Sequence, residues 1–150
     1  QLQAFREAFN AEARERVGGH PPRPTIKPHL EIQLGQATER FTHLLTYFGP
    51  FGIGNPTPIF LARGVDLESP AREVGTGHLK LRLRQSGHSM EAIGFGLVHR
   101  ISPEALGAGP VDLVFKLKIN EFRGRRQVEA HLLDLRRSDN NEDLRGLAQR

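Results

Sequence analysis

The sequence predicts a mainly β fold with flanking helices: a five-stranded barrel preceded by two helices. Three observations lead there. The period of the apolar positions changes from about four residues to two near residue 59. Segments 78–84 and 111–122 then alternate apolar and polar residues strictly. Sixteen glycines and ten prolines, with no tryptophan among 150 residues, also favour short strands and turns over a helical bundle.

From Leu2 to Val17, the apolar residues Leu2, Phe5, Phe9, Ala13 and Val17 recur at helical spacing with charges between them, which predicts a one-sided packing helix. "GGHPPRPTIKP" (18–28) ends it with glycines and extended prolines and reads as a linker. A second helix is expected over Gln36–Phe48, with Phe41, Leu44, Leu45 and Phe48 on one side. "GPFGIGNPTPIF" (49–60) turns it into the first strand, 59–67. In that corner Gly52 and Gly54 permit positive φ, Pro56 and Pro58 stiffen the chain, and Asn55 can bond nearby backbone.

The second strand, "HLKLRLR" (78–84), turns through "QSGHS" (85–89) into a third, 90–96. "RISPEALG" (100–107) supplies a short helical turn, with Ser102 as its cap and Pro103 at the first helical position. Strands 111–122 and 127–136 follow, joined at Arg123-Gly124, and 138–150 reads as a flexible tail. Strand, strand, strand, short helix, strand, strand is the element order of an OB-fold. The expected organisation is a terminal helix (1–17), a linker (18–34), an OB-fold domain with its leading helix (35–137) and the tail.

Charge gives the first indication of function. The net charge is +4, and residues 63–126 alone hold eleven basic and seven acidic residues, so the excess is central. A local basic surface points to an anionic partner, most simply nucleic acid. In 78–84 the leucines at 79, 81 and 83 face one way, and His78, Lys80, Arg82 and Arg84 the other. Outward neighbours on a strand stand about 7 Å apart, close to the phosphate spacing of an extended single strand. The same row equally suits a solvated face that discourages edge pairing. OB-folds hold single strands across their second and third strands, between the loops joining strands one to two and four to five. Here the first loop (68–77) carries Arg72, and the second carries Phe122, Arg123, Arg125 and Arg126. Lys116 and Lys118 face outward on the fourth strand. Phe122 reads either as a stacking surface or as a core residue at the strand end. Arg63 shares parity with Leu61 and Val65, which a bulge at Gly64 explains.

Other chemistry finds little footing. No cysteine occurs, which excludes disulfides and thiolate metal sites and fits a reducing cytoplasm. No apolar run approaches the roughly 20 residues of a membrane span. The seven histidines include no pair at i, i+2 or i, i+4, and no Asp-x-Asp occurs. Asp139, Asn141 and Asp143 resemble the start of a calcium loop, but Leu144 and Arg150 stand where its glycine and glutamate belong. No Lys-Ser or Lys-Thr follows the glycines of 49–60 and a strand comes next, so that loop is a corner and not a phosphate cradle.

The corner also carries a family likeness. Pro50, Phe51, Gly52, Gly54, Asn55, Pro56, Pro58 and Phe60 match the Pro-Phe-Gly-x-Gly-Asn-Pro-x-Pro-x-Phe segment of RecJ-type single-strand-specific exonucleases. "HLKLRL", "MEAIGFG" and "VDLVFKLKINEFRGRRQVEAHLLDLR" are similar to that family's barrel strands, and "FREAFNAEARERV" to the last helix of its DHHA1 domain. The resemblance implies a C-terminal part of a longer enzyme, in keeping with a chain that opens inside a helical pattern without a methionine. It implies a parent that degrades single-stranded DNA from the five-prime end in DNA repair and recombination, with Mn2+ or Mg2+ in an upstream DHH/DHHA1 core. Neither those ligand motifs nor the full DHHA1 glycine signature is present here, so no cofactor is expected in this part. The implied partners are single-stranded DNA, the upstream core and single-strand-binding protein, whose acidic tail suits the same cations. No membrane role is implied.

Overall fold

The structure is a computed structural model that describes residues 2–16, 18 and 25–138. Helix α1 covers Leu2–Arg16. Its apolar side stays uncovered, with Leu2, Phe5 and Phe9 all exposed and Phe5 stacked on Phe9 at 6.1 Å. The sequence pattern led us to expect a packing helix, yet α1 buries none of its residues in this chain.

Strand β1 (Leu30–Glu31) runs parallel to β2 (Phe60–Leu67). Between them lie a 3-10 turn at Leu34–Gln36, helix α2 (Glu39–Leu45) and another 3-10 turn at Thr46–Phe48. The single helix expected over 36–48 is thus broken. Thr38 caps α2 by accepting from the Phe41 N–H at 3.1 Å, which starts the α-helix three residues late. Seven residues offer one narrow stripe. Phe41 and Leu45 pack on the core, Phe41 edge-on to Phe60 at 5.8 Å, while Leu44 and Phe48 are exposed. Residues 29–34, expected as the end of a linker, belong to the barrel. Ile32 and Leu34 are buried, and the Leu34 N–H donates to Gln85 Oε1 at 2.8 Å.

Strand β3 (Arg72–Val74) lies in what was expected to be a plain loop and pairs with β4 (His78–Gln85). Ser86 and Gly87, both at positive φ, make the two-residue turn into β5 (His88–Gly94), which begins before and ends before the expected 90–96. Helix α3 (Pro103–Leu106) is as short as predicted, but the Ser102 hydroxyl bonds the Glu104 carboxylate and leaves the helix end uncapped. Strands β6 (Val111–Phe122) and β7 (Arg125–Arg137) form a long hairpin.

The sheet order β1-β2-β6-β7-β5-β4-β3 closes through a β2–β4 pairing. The closed part therefore reads β2-β4-β5-β7-β6, with β5 and β7 parallel, the strand arrangement of an OB-fold. Leu79, Leu81, Leu83, Leu113, Phe115, Ala130 and Leu132 fill its interior, as alternation predicts.

Arg63 has its explanation. Gly64 adopts φ +61 and the β2–β6 register slips between Ala62 and Val65. One extra residue flips the parity, so Phe60 and Ala62 point inward before the bulge and Val65 after it. Buried Asp112 fixes the bulge by accepting from the Gly64 N–H at 2.9 Å and the Ser138 hydroxyl at 2.7 Å. The predicted tail beyond Ser138, including Asp139, Asn141 and Asp143, lies outside the described residues.

Candidate nucleic-acid interface

Strand β4 turns its leucines inward and its cations outward, but that row is largely spent. Arg82 stands opposite Glu91 on β5, and Glu91 opposite Glu129 on β7. Lys80 Nζ lies 3.0 Å from Glu129 and 3.3 Å from Glu91. Arg82 reaches Glu91 at 2.9 Å and Glu68 at 2.5 Å. Burial alone would lower the pKa of the Lys80 ammonium; the hydrogen bonds it donates to Glu129 and Glu91, with their negative charge, outweigh burial and hold it above its ordinary value. The hydrogen bond from Arg82 holds the Glu68 carboxyl below the usual carboxylate range. Arg84 is exposed and forms no ion pair among the described residues, though Glu68 lies in its field. A row of free cations on β4 was the expectation; two of its three are neutralised by carboxylates from neighbouring strands.

The uncommitted charge lies on the β6–β7 hairpin. Phe122, Asn120, Lys118 and Lys116 share the outward parity of β6, opposite Arg125, Gln127, Glu129 and His131 of β7. Phe122 is exposed and not a core residue, and the Arg123 guanidinium sits 5.1 Å from its ring centroid. Among the described residues, Lys116, Lys118 and Arg125 have no carboxylate within ion-pairing distance. Glu129 faces Lys118 across the ladder, yet its carboxylate is engaged by Lys80. Arg126 pairs with Glu39 at 3.3 Å, with both side chains about half exposed, a weak surface bridge. Arg72, exposed on β3, stands opposite Lys80 without an ion pair of its own among the described residues.

The sequence reading missed Phe95. It follows β5 on the outward parity of Glu91 and Ile93, is 59% exposed, and lies edge to face with His78 and His131. The signal was present in "MEAIGFG", where Glu91, Ile93 and Phe95 are alternate residues.

The proline-glycine corner is architectural. Asn55 Nδ2 donates to the carbonyls of Phe48 at 2.8 Å and Pro50 at 3.0 Å, and Gly52 and Asn55 exchange backbone hydrogen bonds. Gly54 takes φ +86, whereas Gly52 does not use the left-handed region. Phe51 is half-buried, Pro56 and Pro58 lead into β2, and Phe60 enters the core. No cation stands in the loop. Among the described residues, no three His, Asp or Glu side chains gather where they could hold a metal ion. No described helix is long and apolar enough to cross a membrane.

Known proteins agree with this architecture. The model of the RecJ OB domain matches residues 29–134. The single-stranded-DNA-specific exonuclease RecJ of Haemophilus influenzae is 28% identical over 127 residues, 83% of this chain and 22% of that protein. Its counterpart in Salmonella typhimurium is 35% identical over 106 residues, 69% of this chain and 18% of that one. The crystal structure of RecJ in complex with Mg2+ from Thermus thermophilus superposes with a TM-score of 0.65 at 26% identity, over 90% of this chain and 20% of that chain. The chain thus spans about a fifth of the length of these relatives. The family match begins one residue before β1 and takes in every barrel strand up to the last residues of β7, and on that ground the chain belongs to the RecJ OB domain family.

Proposed function

We propose that this chain is the non-catalytic OB-fold part of a RecJ-like five-prime exonuclease and that it holds single-stranded DNA for an upstream DHH/DHHA1 core. In this reading the Mn2+ or Mg2+ chemistry belongs to that core, in the cytoplasm. Helix α1 is the end of the preceding domain, with its apolar side turned toward it. The barrel begins near residue 29, and the residues before it connect the two.

One observation carries the DNA reading: an exposed aromatic and two unpaired arginines at a hairpin tip, continued by Lys118 and Lys116 along β6. Phe122 offers a stacking surface and the cations offer phosphate contacts. A handful of such contacts gives weak affinity that falls with salt, because each neutralised phosphate releases counterions.

Fluorescence anisotropy of a labelled single-stranded oligonucleotide at two salt concentrations tests this. We expect Arg123→Ala with Arg125→Ala to weaken binding about tenfold, as two exposed charge contacts of up to about 1 kcal/mol each would. The salt slope should fall by about 1.4, at roughly 0.7 per phosphate on a single strand. Absent or salt-insensitive binding rejects the proposal.

A second reading, docking of an acidic peptide such as the tail of single-strand-binding protein, is favoured by a different feature. An open cavity of about 270 Å³ includes Arg82 in its wall and mixes apolar Leu34, Ala37, Met90 and Val128 with polar Thr38, His88, Ser89, Glu91 and Gln127. Such a peptide has to displace Glu68 and Glu91 from Arg82. Peptide binding that depends on Arg82 and ignores Arg123 and Arg125 would establish it.

A further inference from the structure

The far end of the β6 track from Phe122 is an aromatic cluster built from three strands. His78 opens β4, Phe95 follows β5, and His131 lies in β7. The Phe95 ring centroid is 5.2 Å from that of His78 and 5.4 Å from that of His131, each pair at 74°. A lone exposed phenylalanine is ordinary on a protein surface. This one is held. The Gly96 N–H donates to His78 Nδ1 at 3.1 Å, which fixes the imidazole against the turn that carries Phe95. His131 Nε2 lies 3.3 Å from Glu129 Oε2, and Glu129 is itself anchored by Lys80. Both flanking rings therefore have a polar contact setting their orientation, while more than half of Phe95 remains open to solvent.

Lys116 supplies the second half of a site. It stands opposite His131 on β6, one strand spacing away, with no carboxylate bound to it among the described residues. A fixed aromatic surface beside an unpaired ammonium complements a flat π-system carrying a nearby anion. An unpaired nucleobase with its backbone phosphate has that form. We propose that Phe95, flanked by His78 and His131, is a base-stacking platform, and that Lys116 takes the phosphate of the same nucleotide. This rests on the DNA-holding reading above and deepens it. From Phe122 to Lys116 is six residues of strand, roughly 20 Å, so a strand touching both ends crosses the hairpin over several nucleotides.

The test compares the whole 150-residue chain with Phe95→Ala and Phe95→Trp, against a labelled oligothymidylate and the same strand made abasic. Phe95→Ala should weaken oligothymidylate binding about tenfold, within the range that loss of one base–aromatic stack produces. Phe95→Trp should retain it, and neither variant should alter affinity for the abasic strand. If the parent chain binds oligothymidylate and Phe95→Ala binds it equally well, the platform is overturned and the DNA-holding reading stands. An equal loss on both strands overturns stacking as well. If the parent chain binds neither strand at low salt, both proposals fall.

Discussion

Two cation-bearing regions of this barrel, the outer face of β4 and the β6–β7 hairpin, look alike in sequence and differ in state. On β4, Lys80 and Arg82 are bound to Glu68, Glu91 and Glu129. On the hairpin, Lys116, Lys118 and Arg125 have no such partners among the described residues, and Arg123 lies over an exposed phenylalanine. An ion pair between adjacent strands holds the barrel wall, and a phosphate must displace a carboxylate to reach the cation. An unpaired arginine at a hairpin tip loses only water.

The comparison breaks first if the β4 network proves to contribute nothing to stability. Glu129 is buried and sits between Lys80 and His131. Glu129→Ala leaves the partly buried Lys80 with Glu91 alone. Loss of a partner from a buried pair costs several kcal/mol, and because Lys80 is 23% exposed we expect about 2 kcal/mol. Urea unfolding checks it, with Glu129→Gln as the milder variant because the amide still accepts from Lys80. An unchanged midpoint for Glu129→Ala would mean that the wall does not depend on this pairing.

A smaller effect sharpens the contrast in binding. Arg82→Ala should change affinity for single-stranded DNA by less than about twofold, against the tenfold expected at the hairpin, since its charge is already balanced. Anisotropy under matched salt compares the two directly. A loss at Arg82 as large as at Arg123 and Arg125 would show that DNA does displace the glutamates and that β4 is the contact face after all.

The barrel was legible because alternation is local. A side chain's parity along a strand decides whether it faces inward, and Leu79, Leu81 and Leu83 all proved buried. The bulge at Gly64 could be read from one misplaced arginine. Charge state was not legible, because it depends on which residue stands opposite on another strand. Glu129 lies 49 residues from Lys80 in sequence and meets it only through the β5–β7 pairing. Phe95 was hidden similarly. Its parity was readable, but the two histidines that frame it come from strands that closure of the barrel brings together. The broken second helix is a different failure: Thr38 was a readable cap that the apolar spacing overshadowed.

The smallest expected effect tests the pairing itself through pH. Arg82 holds the Glu68 carboxyl below its ordinary value of 4.5, chiefly by hydrogen bonding. A carboxyl whose folded value is depressed adds stability above its unfolded value and loses it as pH falls through the folded one. Neutralising that carboxylate permanently with Glu68→Gln should therefore lower Tm slightly at neutral pH. The gap between variant and parent should close as both are taken below the carboxylate range. Both side chains reach solvent, so salt should shrink the gap as well. A Tm difference that stays constant from neutral to acid pH would mean that Glu68 acts through packing rather than through its charge and the hydrogen bonds that hold its carboxyl down. The charge of Arg82 would then be less committed to the barrel wall than its geometry indicates, and nearer in character to the cations of the hairpin.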